Sequence, residues 1–511
     1  MINISKKKDC CGCNACGDVC PKHSITFKID KEGFWYPEVE MDTCIDCHLC
    51  EKVCPLLNKE EYKNIDGYVK PKTYALVHKN IEVRFDSTSG GAFTALAEEV
   101  YKQGGFVGGA IYNEDWSVSQ FLSSSKNDLP KLRSSKYLQS HFDGFYKSVK
   151  EALKTEKPVL VCGSPCQMAA MFRYLKKPYE NLIIVDYICR GIASPMYFRK
   201  WINYLENKHN SKVIFYKAKS KELGWRKLST RIEYANGEAD VIAGHDNPWL
   251  MMQYKVPEIC RPSCFECSFK GFPRTSDITM GDLWAKKGSI PQNLDGDLGT
   301  SIVFANNAKG EAFLSRCFKK VEYKEFPFET AVKGNFHLEN AVRHSSYDRE
   351  TFFQDLNESF EECIDKYIPE FNHQQYSVKS KTKNFLKFVW KISSASGWSI
   401  STWRKNLWYN IFSSKVKTSI FKGHYFIIEK NCTIQINSKG RLILDSALYF
   451  GTKKVKGSIL DSRLLIESGG IMRIYGGDYS ISYGADIEVF RNALLEIGGG
   501  VGANIGLTIV C

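Results

Sequence analysis

The sequence predicts an α+β multidomain chain. Three observations predict it: one cysteine spacing written twice before residue 56, a middle region in which strand-like runs alternate with amphipathic helical ones, and a last stretch of short β-like runs separated by Gly, Asn and Asp. In chain order these become a cysteine module over 1–60, an α/β domain over 61–335, a helical basic linker over 336–422 and a partial β-solenoid over 423–511. A chain of 511 residues is expected to hold about three or four domains at roughly 150 residues each.

The first copy of the cysteine pattern reads Cys10, Cys13, Cys16 and Cys20 before Pro21, and the second reads Cys44, Cys47, Cys50 and Cys54 before Pro55. Both have the C-x2-C-x2-C-x3-C-P spacing of a bacterial dicluster ferredoxin-like module. Three thiolates two residues apart wrap one cubane in a tight loop, while the fourth starts a helix and reaches the other cluster. Cys10, Cys13, Cys16 and Cys54 are therefore assigned to one [4Fe-4S] cluster, and Cys44, Cys47, Cys50 and Cys20 to a second. Zinc competes, because CxxC pairs also suit a tetrahedral site, but it leaves the third cysteine, the x3 step and the prolines without a reason. Cys11 falls outside the register and reads as a bystander. Between the copies Ile25, Phe27 and Ile29 alternate as in a strand and Gly33 follows, which predicts a short hairpin roofing the clusters. Leu56-Leu57-Asn58 does not repeat that alternation, so the second edge is expected to be incomplete.

Nineteen cysteines are too few for a disulfide scaffold, and most stand at ligand spacings, which points to a reducing compartment. The first eight residues lack the apolar core of a signal peptide, and no run approaches about 18 apolar residues, so a cytoplasmic protein is expected. The net charge of +13 suits a nucleic-acid partner, yet no helix-turn-helix, zinc-finger or RNP-type signature is present and much of the excess lies in one late segment. No nucleic acid is expected.

In the middle region 73–77 reads as a strand and 91–103 as an amphipathic helix. Between them Ser87-Thr88-Ser89-Gly90-Gly91 is a small-residue turn opening a helix, where backbone N–H groups can approach a phosphate. A tight turn alone is the plainer reading. Ser135-Lys136-Tyr137-Leu138-Gln139-Ser140 adds a cation, a phenol and an amide. A buried strand at Val159-Leu160-Val161-Cys162 ends in Gly163-Ser164-Pro165-Cys166-Gln167, where α/β sheets place their sites. A second strand over 182–188 ends at Cys189-Arg190-Gly191, and Arg261-Pro262-Ser263-Cys264-Phe265-Glu266-Cys267 presents a CxxC. Cys166, Cys189, Cys264 and Cys267 are candidates for a third four-thiolate site. On spacing alone buried apolar cysteines fit them equally, and Cys162 and Cys260 compete for the same places. Asp277 and Asp282 read as residues that fix loops rather than as catalytic groups.

The ordered motifs S-G-G-A-F from Ser89, S-K-Y-x-Q-S from Ser135, G-S-P-C-Q from Gly163, C-R-G from Cys189, R-P-S-C-x-x-C from Arg261 and D-I-T-M-G-D-L-W from Asp277 resemble the family of coenzyme F-420 hydrogenase and dehydrogenase beta subunits. The resemblance runs from Tyr74 to Gly310. Members with a two-cluster module fused in front resemble the electron-input subunits of deazaflavin-oxidising complexes. The resemblance implies an α/β flavin domain with FAD, a third [4Fe-4S] cluster held by Cys166, Cys189, Cys264 and Cys267, and hydride exchange with the deazaflavin coenzyme F-420 or a substitute hydride carrier. It also implies that Ser89, Gly90 and Gly91 cradle the FAD pyrophosphate while Lys136 and Gln139 set the ring, with Lys136 alternatively meeting the acidic tail of the deazaflavin. A flavin is required because a hydride carrier moves two electrons together and a cubane moves one. The catalytic residues are left unassigned, since the cofactors carry the chemistry.

From Gln374 to Lys422 there is no Asp or Glu. Lys379, Lys383, Lys387 and Lys391 recur every fourth residue while Phe385, Phe388, Val389 and Ile392 fall on another face, an amphipathic basic helix. With Trp390, Trp398, Trp403 and Trp408 it is a candidate for peripheral contact with the anionic inner membrane surface, against the plainer role of a linker helix packed on its own domain. Beyond it, runs at 432–436, 441–444, 464–467, 487–490 and 494–498 suggest the β-solenoid and resemble the opening coils of hexapeptide-repeat acyltransferases, although a strict six-residue period is poorly kept. No histidine follows His424, so this part is expected to be truncated, inert as a transferase, and available for docking or oligomerisation.

These expectations combine into an iron-sulfur flavoprotein oxidoreductase that passes electrons between a hydride carrier and a one-electron redox partner protein. The rival is a redox-module protein of surface-polysaccharide biosynthesis acting on a sugar or its precursor, or a non-catalytic scaffold with a vestigial acyltransferase tail. The missing histidine weighs against the transferase version, and the intact cysteine sets favour electron transfer.

Overall fold

The computed structural model describes residues 1–59, 66–285, 290–291, 293–294, 297–369, 371, 378–396, 399–430, 432–452, 461–475, 479–498, 502–503 and 507–511, with the backbone alone described at 378–383, 396 and 502–503. Gln374, Trp398, the boundary at 60/61 and the side chains of Lys379 and Lys383 lie outside the described residues. The chain divides into two compact units, Met1–Lys221 with Ser229–Ile368, and Glu222–Leu228 with Pro369–Cys511.

The first unit begins with the cysteine module. Its hairpin pairs β1 (Ile25–Ile29) with β2 (Trp35–Val39) antiparallel, Ile25 opposite Val39 and Ile29 opposite Trp35. Gly33 at the tip has φ +82°, and a Cβ there would stand 2.4 Å from Met196 Cβ, so only glycine lets the tip rest on the helix Pro195–His209. The next strands are β3 (Lys72–His78), β4 (Phe106–Tyr112), β5 (Val118–Ser123), β6 (Ser140–His141), β7 (Val159–Gly163) and β8 (Leu182–Tyr187). They are followed by β9 (Val213–Ser220), β10 (Ser229–Tyr234), β11 (Ala239–Ile242), β12 (Ile278–Asp282), β13 (Ser301–Ala305) and β14 (Val321–Glu325). A nine-stranded sheet runs in the order β14-β3-β13-β12-β8-β7-β4-β5-β6, parallel through β12-β8-β7-β4, and β11-β10-β9 form a separate antiparallel sheet.

The middle of the large sheet is buried on both faces, which is why β7 reads as a continuous apolar run rather than an alternating one. On one face Leu160, Ile183 and Val185 pack with Ala95, Leu96 and Val100 of the helix Ala92–Lys102. On the other, Val159, Val161 and Ile184 meet Tyr146 and Val149 of the helix Phe145–Leu153 and Met168 and Met171 of the helix Pro165–Leu175. Cys11, Cys13, Ala15 and Val53 of the cysteine module join that second cluster, so module and sheet share one core. Residues 336–368, expected as the start of a linker, belong to this unit, where Phe360 packs on Tyr197 and Trp201 of the helix Pro195–His209.

In the second unit, short strands rotate among three four-stranded parallel sheets. One sheet holds Val416–Lys417, Arg441–Leu444, Ile471–Tyr475 and Leu494–Gly498. In a neighbouring one Thr433, Arg463 and Asp486 stand in a single row at unequal separations along the chain, which is why no six-residue period is legible. Apolar side chains such as Leu442, Ile466 and Ile487 fill the interior. The basic helix Val378–Ser396 turns Phe388 and Ile392 onto Tyr425 and Ile427. Among the described residues no helix is long and apolar enough to cross a membrane.

Candidate functional site: three thiol sets and a large cavity

The two cysteine copies exchange their last members. Burial, then the Cys13, Cys10 and Cys54 thiols, push the Cys16 thiol well above its ordinary range, so Cys54 of the second copy stands with the first three cysteines of the first. Burial and the nearby Cys13 push Cys54 itself up to about 12. Conversely Cys20 of the first copy lines a cavity of about 20 Å³ with Cys44, Cys47 and Cys50. This second set lies outward, with Cys47 exposed, and Cys50 Sγ accepts a hydrogen bond from Ile2 N at 3.2 Å. Crowded thiols are costly to ionise beside one another unless a cation takes up their charge, which is the donor chemistry of an iron-sulfur cluster. Among the described residues no three His, Cys, Asp or Glu side chains gather around the position of a single ion. A four-iron cluster is wider than one ion and holds its thiolates further apart.

The G-S-P-C-Q turn has a local cause. Ser164 caps the helix Pro165–Leu175, Gln167 Oε1 accepts from Ser164 N at 2.9 Å to close a capping box, and Pro165 fills the first helical position. Cys166 therefore sits in the first turn, where free N–H groups and the positive end of the helix favour a thiolate. Cys189 follows β8, and Cys264 Sγ accepts from Ile192 N at 3.4 Å. Cys166, Cys189, Cys264 and Cys267 line one cavity of about 30 Å³, and Cys11 lines it with them. Burial pushes Cys189 up to about 12 and Cys264 well above the ordinary thiol range. Lys270 Nζ, on the same wall, donates to the carbonyls of Cys189 at 2.5 Å and His337 at 2.8 Å, a cation that suits an anionic four-thiolate group. Cys11 lines this cavity while neighbouring Cys13 and Cys166, so it lies between the inner set and this third one. Hydrogen bonding to Cys11 holds Cys166 down while Cys11 keeps its proton.

Beside this cavity lies a much larger one of about 620 Å³ at the carboxyl ends of β7 and β8. Ser89, Gly91 and Lys136 line it, as do Cys162 and Cys260. Gly91 caps the helix Ala92–Lys102 with φ +94°, and a Cβ there would stand 2.9 Å from His78 Cβ. Gly90 faces the sheet, where a Cβ would meet Leu76 O at 2.3 Å and Ser301 N at 2.6 Å. Ser89 Oγ donates to Thr300 O at 2.8 Å. Gln139 turns away toward the cysteine module, its amide donating to Gly12 O at 3.3 Å and its carbonyl accepting from Arg261 at 2.9 Å.

The surroundings of the Ser89–Gly91 turn carry excess positive charge, with Arg133, Lys136, Lys217, Lys219 and Lys221 against Asp86 and Asp282. Lys219 pairs with Asp282 at 2.6 Å. Among the described residues Lys136 Nζ donates to the carbonyls of Lys131 at 2.7 Å and Arg133 at 2.9 Å, and burial lowers its pKa to about 7. Lys221 donates to Ser89 O at 2.5 Å, and burial brings it to about 7 as well. Two lysines that bond only to carbonyls among the described residues, beside a glycine turn and a helix start, make a place for an anion such as a pyrophosphate.

Sequence reasoning missed Arg190, His337, Lys219 and Lys221 as site residues. The motif C-R-G contained Arg190, but nothing local showed that Cys189, Arg190, Gly191, Ile192 and His337 form the wall common to both cavities.

A four-cysteine loop pair built into an α/β unit, with a thiol-lined pocket against a cofactor-sized cavity, defines an iron-sulfur protein of the dicluster ferredoxin class. Residues 9–57 match the 4Fe-4S dicluster domain. Residues 156–330 match the family described as the C terminus of the coenzyme F420 hydrogenase/dehydrogenase beta subunit. An uncharacterized protein of Methanocaldococcus jannaschii is 24% identical over 344 residues, covering 60% of this chain and 86% of that one. One subunit of the F(420)H(2) dehydrogenase of Methanosarcina mazei is 22% identical over 188 residues, 34% of this chain and 51% of its own length. A chain from the F420-reducing [NiFe] hydrogenase complex of Methanosarcina barkeri aligns with a TM-score of 0.35 and 17% identity, covering 56% of this chain and 100% of that one.

Proposed function

We propose that the chain is an iron-sulfur flavoprotein oxidoreductase that passes electrons between a deazaflavin-type hydride carrier and a one-electron partner protein. The wall shared by the thiol cavity and the large cavity carries this reading, because a third cluster in one and a flavin in the other would be neighbours across the Cys189–Ile192 turn and His337. FAD bound in the large cavity would supply the exchange between paired and single electrons. The chain's own residues position it. Gly91 keeps the helix start open to the pyrophosphate, and Lys136 and Lys221 offset its charge. Tyr254, exposed at the rim with the Arg190 guanidinium 4.8 Å from its ring centroid, offers a flat cationic platform for a second ring. Cys166, Cys189, Cys264 and Cys267 hold the third [4Fe-4S] cluster in this reading, behind the two of the cysteine module.

Anaerobically purified protein is expected to carry about twelve irons as three four-iron clusters and one FAD, and reduced deazaflavin is expected to bleach the flavin absorbance. Bleaching by a nicotinamide or a sugar-derived donor instead would keep the electron path and replace the substrate. Protein without iron would sink the proposal.

The second unit supports a peripheral contact with anionic lipid. Leu386 and Trp390 on the basic helix and Trp408 and Phe412 in the following turn are exposed, in a segment without a carboxylate. Amphipathic aromatic and basic groups of this kind sit at the headgroup boundary. The full chain should float with vesicles containing phosphatidylglycerol and not with neutral ones, and Trp390→Ser with Trp408→Ser should abolish flotation. Equal recovery with neutral vesicles would count against it.

A further inference from the structure

We infer that Arg261 is a positioning residue that raises the reduction potential of the inner cluster, held by Cys10, Cys13, Cys16 and Cys54, above that of the outer one. The inference rests on the dicluster reading of these cysteines. Arg261 is fully buried. Its Nε donates to Cys10 O at 2.7 Å, one Nη to Gln139 Oε1 at 2.9 Å and the other to Trp35 O at 3.0 Å. The guanidinium carbon lies 4.1 Å from the Tyr36 ring centroid and 5.5 Å from that of Phe34. Among the described residues these partners are carbonyls and aromatic faces, and no carboxylate pairs with it. A buried, unpaired guanidinium is expensive unless an anion lies beside it. The thiolate group at Cys10 is that anion.

The two loops are asymmetric at one equivalent position. In C-C-G-C the residue before Cys13 is Gly12, with φ +70°, where a Cβ would stand 2.3 Å from Gln139 Nε2 and 3.0 Å from Arg261 Cζ. Glycine is what admits the guanidinium. In C-I-D-C the matching residue is Asp46, exposed at the surface near Cys47. One loop thus faces a buried positive charge, and the other an exposed carboxylate whose charge is offset by the Met1 ammonium at 3.3 Å.

Reduction adds one electron and hence one negative charge to a cluster. A cation in a poorly solvated site favours that added charge strongly, and the exposed Met1–Asp46 ion pair acts on it only weakly through water. Burial by itself acts the other way, because excluding solvent penalises the more negative state and would leave the inner cluster lower. The guanidinium therefore decides the order. Electrons entering at the exposed outer set come to rest on the inner one, beside Cys11 and the third thiol set.

The test is a redox titration of anaerobic holoprotein followed by electron paramagnetic resonance, with the outer cluster recognised by its faster relaxation in a soluble paramagnetic chelate. The inner midpoint is expected above the outer in the wild type. Arg261→Gln should lower the inner one by at least a tenfold change in its reduced-to-oxidised ratio, about 59 mV for one electron, and leave the outer unmoved, while Arg261→Lys restores most of the shift. Arg261→Gln with full iron and an unmoved inner midpoint, or with both midpoints shifted equally, overturns the inference. Should that variant shed iron, the wild-type order decides, and an inner midpoint below the outer overturns it. Absence of both signals from wild-type protein would instead refute the dicluster reading.

Discussion

Replacing Cys264 with serine is expected to remove about four of roughly twelve irons and to leave the paramagnetic signals of the N-terminal pair unchanged. Cys264 lies on the wall of the thiol cavity with Cys166, Cys189 and Cys267, and its sulfur already accepts from Ile192 N. Serine keeps the volume and the hydrogen bond but is a poor ligand to iron, so the loss reports ligation rather than unfolding. Cys511→Ser, at an exposed position, provides the control and should retain all the iron. Iron analysis and low-temperature spectra of the reduced protein check both. Unchanged iron in C264S would move the fourth ligand to Cys11, which lines the same cavity, or to Cys260, whose proximity helps push the Cys264 thiol up.

Gly91→Val is expected to lower bound flavin by more than tenfold, about 1.4 kcal/mol or more, with iron content unchanged. The residue lines the large cavity and caps a helix at φ +94°, where a branched side chain is strained by about 1–2 kcal/mol, and its Cβ would press on His78 at 2.9 Å and meet Ser87, another residue of the cavity wall, at 3.5 Å. Gly104 separates strain from obstruction. It has φ +69°, nothing within 4 Å of a Cβ, and no place on the cavity wall. Gly104→Ala should therefore cost about 1–2 kcal/mol of stability and keep its flavin. The flavin-to-protein absorbance ratio and a urea titration distinguish the two. Full flavin in G91V would move the cofactor away from this turn.

Local patterns were legible because their partners are near in the chain. The hairpin of β1 and β2, the helix starting at Gly91 and the capped turn before Cys166 all follow from neighbours within a few residues. Gln139 was legible as part of a motif but not as the residue that joins Gly12 to Arg261, since those partners lie 127 and 122 residues away along the chain. Strands such as Phe426–Ile428 and Leu448–Thr452 were missed. Each is a short apolar run with no period of its own, and it becomes a strand only by pairing in parallel with a segment some twenty residues away.

The sequence by itself determined the composition of the two cysteine loops, because thiols two residues apart meet within one turn whatever surrounds them. Only the tertiary structure decided that Cys11 lies between two thiol sets, and that Arg261 reaches Cys10 from 251 residues away. Meetings at that separation depend on how a hairpin seats against a sheet and its helices, and no periodicity along the chain encodes that seating.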